Sequence, residues 1–246
     1  TADDNTAVGY QALTANTTGT RNTALGDSSL QANTTGADCT GIGREALKAN
    51  TTGLRNTAVG KNALNANTTA GSNTAVGYET LLANTTGANN TAVGAYALDA
   101  NTTADGNTAF GYSALTANTT GAHLTAVGRG ALAANTTADS NTAVGSYSLN
   151  DVTTGAKNTG VGAYTLEKVS TADHNTALGY NAGADITTGT ANIAIGAYAL
   201  DAVTTASNNT AVGYYGLGAN TTGDKNTCLG SGAMSANTTG VNNVAV

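Results

Sequence analysis

The sequence predicts an all-β fold, a parallel β-solenoid of about 14 coils with 17 residues in each coil. Three observations lead to this prediction: a gapless 17-residue repeat, two short β-prone stretches in each repeat, and glycines at fixed corners. Seventeen residues are too few for a helical-repeat unit, whereas stacked β-coils bond their backbone groups to neighbouring coils. We expect residues 1–246 to form one solenoid domain, with full repeats over 5–242 and a partial coil at either end.

The repeat is read most easily from the string Asn-Thr-Ala-Val-Gly, which begins at Asn5 and returns every 17 residues up to Asn243. We number the repeat positions from 1 at Asn5 to 17, and the residues that share a position form a column. The consensus is N-T-A-V-G-Y-x-A-L-x-A-N-T-T-G-x-x. Such strict periodicity predicts equivalent coils in a stacked array. At about 4.8 Å a coil, fourteen coils would extend for ~67 Å.

The composition supports a fold that depends on backbone ladders more than on a thick apolar core. Leu, Ile, Val and Phe account for only 37 of the 246 residues. Charged residues make up 10%, and the chain contains no Pro and no Trp. Disordered chains are usually rich in charge or proline, so this composition is not typical of them.

The variability of each column predicts which side chains lie inside. Position 4 is always large and apolar, and position 9 is Leu in twelve of fourteen repeats, so both are expected inside. Positions 6, 7 and 10 vary among polar and aromatic residues and are expected outside. Alternation would then turn position 3, which is mostly Ala, outward. An outward alanine stripe without charge favours packing against other copies of the chain, and a homotrimer is the favoured assembly. A monomer with an uncovered alanine face is the alternative.

Asparagine occupies positions 1 and 12 in most repeats, and where it is lost its replacements are mainly aliphatic. Exchange of Asn for Val, Ile or Leu predicts inward-facing amides that bond to each other or to the backbone. Position 2, mostly Thr, is interpreted in the same way. The position-12 asparagines also form N-glycosylation sequons, but glycans about 4.8 Å apart would be crowded. These residues are Asn16, Asn33, Asn50, Asn67, Asn84, Asn101, Asn118, Asn135, Asn220 and Asn237.

Threonine fills positions 13 and 14 in every repeat except for Ser170. Neighbouring strand residues point to opposite faces, so at least one threonine column is expected outside. Hydroxyl ladders and β-propensity explain this pattern in the simplest way. The alternative is an ice-binding surface of Thr and Asn, which would need positions 12 and 14 both to point outward.

All ten tyrosines fall at positions 6 or 7, along one outer corner of the predicted solenoid. Exposed aromatic side chains in a row can stack on sugar rings or pack against another fibre. The alternative is that Tyr merely tolerates a half-exposed corner. The candidate surface-binding or lateral-contact stripe consists of Tyr10, Tyr78, Tyr96, Tyr112, Tyr147, Tyr164, Tyr180, Tyr198, Tyr214 and Tyr215.

No group of residues in the sequence indicates catalysis, so we expect a non-enzyme without cofactor or metal. His123 and His174 lie three coils apart, and Cys39 and Cys228 lie eleven coils apart, too far to share a metal or a disulfide. A net charge of −6 argues against nucleic-acid binding. The short apolar runs argue against membrane insertion by this segment.

A second period of 34 residues overlies the first between repeats 4 and 13, where position 15 alternates between Ala and Gly. This alternation indicates either duplication of coil pairs or two alternating turn shapes. Both ends of the sequence fall within a repeat. Because open coils template further stacking, we expect a segment of a longer fibre or a unit that stacks end to end.

The repeated Asn-Thr-Ala-Val-Gly, with variants such as Asn-Ile-Ala-Ile-Gly at 192–196, resembles the head repeats of YadA-type trimeric autotransporter adhesins. It also resembles the 17-residue repeats of phage and bacterial tail-fibre-like proteins. The resemblance covers essentially the whole chain and implies a left-handed parallel β-roll, usually trimeric, on an extracellular or virion surface fibre. The expected function is therefore structural, projecting or mediating attachment, with a cell-surface glycan as a candidate partner. The coil is longer than the YadA head repeat, and within residues 1–246 we expect neither a membrane anchor nor a tail-fibre chaperone domain.

Overall fold

A computed structural model of the chain describes residues 2–246. They form a parallel β-solenoid of about 14 turns with a 17-residue repeat and contain no helix, which confirms the predicted fold class. The chain divides into two compact units, one ending at His123 and the other starting at Leu124. Each unit is a run of similar coils.

Each coil carries one short strand, which covers positions 2 to 4 and pairs in parallel with the strand of the next coil in its unit. The register is one full repeat, so Thr6 lies opposite Thr23 and Val59 opposite Val76. The strands of the first unit are β1 Thr6–Val8, β2 Thr23–Leu25, β3 Thr40–Ile42, β4 Thr57–Val59, β5 Thr74–Val76, β6 Thr91–Val93 and β7 Thr108–Phe110. Those of the second unit are β8 Thr125–Val127, β9 Thr142–Val144, β10 Thr159–Val161, β11 Thr176–Leu178, β12 Ile193–Ile195, β13 Thr210–Val212, β14 Thr227–Leu229 and β15 Val244–Ala245.

The interior consists of columns 1, 3, 8, 9, 12 and 15. Leu at position 9 is fully buried through most of both units, as predicted, and so are the asparagines of positions 1 and 12. Columns 6, 7 and 10 lie mainly at the half-exposed outer corner, also as predicted. The core is thus narrow and mixed, with leucine on one side and amide groups on the other.

The prediction for the strand itself is wrong, because position 3 points inward while positions 2 and 4 point outward. Ala58 and Ala92 are completely buried, whereas Val144 and Leu178 at position 4 are 37% and 49% exposed. The alanine stripe is therefore covered by its own coil and gives no support to a homo-oligomer. The prediction that Thr at position 2 points inward is also wrong. Neighbouring strand residues point to opposite faces, so position 2 lies outside when position 3 lies inside.

The small size of column 3 follows from column 8 of the preceding coil, which lies against it. A Cβ atom on Gly41 at position 3 would lie 2.6 Å from Oγ of Ser29 at position 8. The two columns pack across the narrow part of the coil, where only Ala, Gly, Ser, Thr and Cys occur. Close packing of this kind leaves no room for a larger side chain.

The corner after each strand requires glycine at position 5. Gly43 has φ +130°, and a Cβ atom there would lie 2.6 Å from the carbonyl oxygen of Gly60 in the next coil. Both the backbone conformation and the close approach of the two coils therefore exclude a side chain. This corner ends the strand and turns the chain toward positions 6 and 7.

The following turn places position 9 in the left-handed region, with φ +52° at Leu98 and φ +50° at Leu81. This conformation costs a non-glycine residue about 1–2 kcal/mol, while burying a leucine side chain contributes about 1.5–3 kcal/mol. Gly183 and Met234 are the two exceptions to leucine at position 9. A Cβ atom on Gly183 would lie 3.1 Å from Cδ1 of Ile186. The larger Ile186 at position 12 thus fills space that a leucine occupies elsewhere.

The 34-residue period corresponds to two turn shapes. In a Gly-type coil, the amides of Thr85 and Thr86 both donate to the carbonyl of Thr102 in the next coil. In the following Ala-type coil, only the amide of Thr102 donates to the next coil, to the carbonyl of Thr119. Oδ1 of Asp105, just after this Ala-type corner, accepts the amide of Ala88 in the preceding coil. The structure therefore favours alternating turn shapes, and it gives this aspartate a structural role.

We expect Gly43→Ala to lower the free energy of unfolding by at least ~2 kcal/mol, because it combines backbone strain with a clash against the next coil. Gly232→Ala is the matched control, since Gly232 has φ +67° but a Cβ atom there would meet no other atom within 4 Å. That control should cost only about 1 kcal/mol from the backbone. Urea denaturation followed by circular dichroism measures both values, and equal losses would show that the close approach of coils is unimportant.

Candidate binding surfaces

The tyrosine corner begins directly after the glycine of position 5, which turns positions 6 and 7 outward. Position 7 has a left-handed backbone, with φ +58° at Tyr96 and φ +55° at Tyr147. Because the turn repeats in every coil, tyrosines of successive coils lie one above another. The structure thereby brings nine of the ten predicted tyrosines into ring contacts. Tyr10, in the first coil, takes part in none of the ring contacts among residues 2–246.

The first tyrosine row, in the first unit, consists of Tyr78, Tyr96 and Tyr112. Their rings meet edge to face, with centroids 5.4 and 5.9 Å apart. Nζ of Lys61 lies 5.3 Å from the centroid of Tyr78, within the range of a cation–π contact. Glu79 beside this ring raises the pKa of the Tyr78 hydroxyl by accepting its hydrogen bond.

The second tyrosine row, in the second unit, is longer and covers five successive coils. Its ring centroids are 5.5 to 6.1 Å apart from one coil to the next, mostly edge to face. The first ring of the row carries a cation, because Cζ of Arg129 lies 5.4 Å from the centroid of Tyr147. The members of this row are Tyr147, Tyr164, Tyr180, Tyr198, Tyr214 and Tyr215.

Carboxylates accompany the second tyrosine row, a feature that the sequence pattern did not predict. Column 10 of one coil lies beside column 7 of the coil before it, as the bond from Asn150 Nδ2 to the Gly130 carbonyl shows. Columns 10 and 11 carry one acidic side chain in each of four successive coils. We call this set the acidic strip: Asp151, Glu167, Asp185 and Asp201.

The acidic strip has little compensating charge. Lys168 donates to Asp185 at 2.7 Å and is the strip's one ion-pair partner among the described residues. Burial and then the neighbouring charge of Asp151 raise the pKa of Glu167. Burial is also the main cause that raises the pKa of Asp201, and the charge of Asp185 adds to it. Burial therefore disfavours the ionised forms of Glu167 and Asp201, and neighbouring carboxylates of the strip add to this effect.

A second surface is the outer side of the strands, which we call the strand face, formed by columns 2 and 4. Its side chains are mostly Thr and Val, whose branched Cβ atoms hold them in few rotamers. Thr57 and Thr74 of column 2 are half-exposed, on the outer side of their strands. The position-13 hydroxyls of Thr51 and Thr68 each donate to the carbonyl of the next coil.

The sequon asparagines form an internal ladder. Nδ2 of Asn84 donates to Oδ1 of Asn67 at 3.0 Å and to the carbonyl of Gly87 at 2.9 Å. Oδ1 of Asn84 in turn accepts Nδ2 of Asn101 at 2.8 Å. An N-glycan is attached to this same nitrogen, so a glycan in the ladder would require the coil to open. Because column 12 is buried, it also cannot join column 14 in an outward Thr/Asn array.

The remaining candidate groups stay apart. Cys39 and Cys228 are free and buried, and burial raises the pKa of both thiols. The stretch from residue 2 to residue 246 has no cluster of three or more His, Cys, Asp or Glu side chains that could hold a metal ion. Nor does it have a helix with the length and hydrophobicity needed to cross a membrane.

We expect Asn84→Ala to lower the free energy of unfolding by about 2–4 kcal/mol, because it leaves buried amide and carbonyl partners unpaired. Thr86→Ala is the control, since Thr86 is exposed two residues further along the same coil and should change stability by about 0.5 kcal/mol or less. Urea denaturation of both variants measures the difference. If Asn84→Ala is as mild as its control, the amide ladder does not stabilise the coils.

Comparison with known proteins identifies no family for the chain. No protein-family model matches the chain, and no curated protein sequence matches it. What is established is a parallel β-solenoid of about 14 turns, with a tyrosine corner in each of its two units and a Thr/Val strand face beside it.

Proposed function

We propose that this chain is a non-enzymatic structural segment of a surface fibre, on a cell or a virion, that projects or mediates attachment. The observation that carries the proposal is the in-register stacking of equivalent coils, each of which presents the same columns to the outside. A repeated surface of this kind suits display and multivalent contact more than a single reaction centre. The resemblance of the Asn-Thr-Ala-Val-Gly repeats to YadA-type heads and tail-fibre repeats supports the same function.

The proposal includes self-association of the chain. The contact is made by the strand face and not by the alanine column, which is buried. Column 4 is a continuous apolar column, and exposed examples are Phe110 at 57% and Leu178 at 49%. Contiguous apolar surface on a protein commonly marks an interaction site. We place the contact between copies of the chain here, with a trimer as the favoured assembly.

The expected result for the intact chain is a trimer by size-exclusion chromatography with light scattering, and elongated particles by negative-stain microscopy. Val144→Lys combined with Leu178→Lys should give monomers, because it places unpaired charges in the contact. Leu54→Lys is the control, since Leu54 is 42% exposed at position 16, away from the strand face. Compact particles, or monomers before any substitution, would contradict the proposal.

A second candidate function, ice binding, is favoured by a specific observation on the same strand face. Threonine hydroxyls and valine methyl groups form two parallel columns there, with neighbours about 4.8 Å apart along a column and about 6.6 Å between columns. They lie on the outer side of the strands and their rotamers are restricted, so the array can hold water in a regular pattern. The Asn column expected from the sequence takes no part, because it is buried.

Thermal hysteresis of the purified chain tests this second function. If the strand face binds ice, Thr159→Tyr should remove most of the hysteresis, because the larger ring interrupts the flat array. Thr14→Tyr, at an exposed position 10, should leave it intact. Absence of hysteresis in the unsubstituted chain rules ice binding out, and it is also the result expected if the strand face is covered in a trimer.

A further inference from the structure

The second tyrosine row is the longest continuous aromatic surface of the chain within the described residues. Its rings touch from coil to coil over five coils, and several remain open to solvent. Tyr180, Tyr214 and Tyr215 are 47%, 56% and 41% exposed. Large exposed aromatic side chains that touch one another form a surface that favours a partner with an apolar face.

The acidic strip beside this row determines the charge of the partner. Four carboxylates in successive coils have one lysine among them, and Oδ1 of Asp201 is buried without a hydrogen-bond donor among residues 2–246. Like charges at coil spacing repel each other, and a cation bound alongside removes this repulsion. Charge complementarity therefore favours a ligand with several positive groups.

Two of the tyrosine rings already make cation–π contacts with basic side chains of the chain itself. The first row begins with Lys61 over Tyr78, and the second begins with Arg129 over Tyr147. Both cations come from column 6 of the preceding coil, so each row has one end covered and further rings open. An ammonium group placed over the next rings would make the same contact. Burial first, and then nearby groups that include Asp201, raise the pKa of Tyr198, so a carboxylate lies near this ring.

The spacing of the coils distinguishes between cationic ligands. The row offers an aromatic position in each coil, about every 4.8 Å, and column 10 offers a carboxylate at Glu167 and Asp201, two coils or about 9.6 Å apart. An extended peptide places same-face side chains ~6.6 Å apart, so its basic residues lose register within a few coils. In a β-1,4-linked amino-sugar polymer every pyranose has a C–H face and an ammonium group. Successive units are turned over, so the ammonium groups on one side recur every second unit, close to the two-coil separation of Glu167 and Asp201.

We propose that the second tyrosine row and the acidic strip bind a linear polymer of 2-amino-2-deoxyglucose in its ammonium form. The pyranose faces lie against the tyrosine rings, and the ammonium groups pair with the column-10 carboxylates of Glu167 and Asp201, since Asp185 is already paired with Lys168. Binding of this polymer would give the attachment role of the proposed function a ligand. It rests on the proposed function only in that the chain must be displayed at a surface. It does not involve the strand face.

Isothermal titration of the full chain with a β-1,4-linked glucosamine hexamer tests the inference, at a pH where the amines are protonated. We expect saturable binding that weakens as salt rises, because ion pairs contribute to it. The N-acetylated hexamer has the same rings without the charges and should bind at least ten-fold more weakly. An arginine hexapeptide has the charges without the pyranose faces and should also bind at least ten-fold more weakly.

Two substitutions assign the binding to residues. Tyr198→Ala should weaken binding of the glucosamine hexamer at least five-fold, and Glu167→Gln should weaken it and reduce its salt dependence. Tyr10→Ala is the matched control, since Tyr10 is 73% exposed in the same corner but lies outside both rows. Circular dichroism of each variant establishes that the solenoid is intact.

Four results would overturn the inference: no binding of the glucosamine hexamer, equal binding of the N-acetylated hexamer, equal binding of the arginine peptide, or an equal loss in Tyr10→Ala. The same samples measured by light scattering keep the two proposals separate. Tyr198→Ala should retain the assembly of the unsubstituted chain. A chain that forms trimers but binds no glucosamine retains the fibre proposal and loses this one.

Discussion

The structure depends on one repeated contact, in which two asparagine side chains meet on a single backbone carbonyl. In the second coil, the carbonyl of Gly36 accepts Nδ2 of Asn22 at 2.8 Å and Nδ2 of Asn33 at 3.0 Å. The first bond closes the coil, since it joins positions 1 and 15. Oδ1 of Asn22 and of Asn33 also accepts a donor from the third coil, so the same side chains fix the stacking. Closure of a coil and its register with the next are thereby coupled.

This coupling explains how a chain with so few large apolar residues can form a regular fold. A buried polar group costs free energy unless it is bonded, and here the partners come from the same coil or from a neighbouring one. Val152, Val169, Ile186 and Val203 replace asparagine and interrupt the position-12 ladder, but the position-1 column continues past them. Nδ2 of Asn158, for example, lies 3.3 Å from Oδ1 of Asn141 and also donates to the carbonyl of Ala172. The position-1 network therefore continues through the coils with aliphatic replacements.

The sequence predicted the coil, its length and most of its interior. In a strict repeat, all residues of a column occupy equivalent sites, so their variation shows which residue types the site accepts. Exchange of Asn for Val or Ile correctly placed positions 1 and 12 inside. The strand was assigned the wrong way round because column 4 is apolar and column 3 is never charged, so charge could not separate them. Size could have done so, since column 3 holds only Ala, Gly and Cys, and a surface position tolerates larger side chains. The acidic strip was missed because the approach of column 10 to column 7 of the preceding coil depends on the turn geometry.

The inverted strand also changes how the surfaces can work together. With alanine inside, columns 2 and 4 of the strand face lie on one side of the corner glycine and the tyrosines of columns 6 and 7 lie beyond it. A partner copy that covers the strand face therefore need not cover the tyrosine rows. In an assembly of several chains, each copy would keep its own tyrosine row and acidic strip, and a polymeric ligand could engage more than one of them. Because linked sites raise avidity without any new contact, weak binding in one coil corner can still give firm attachment of a fibre.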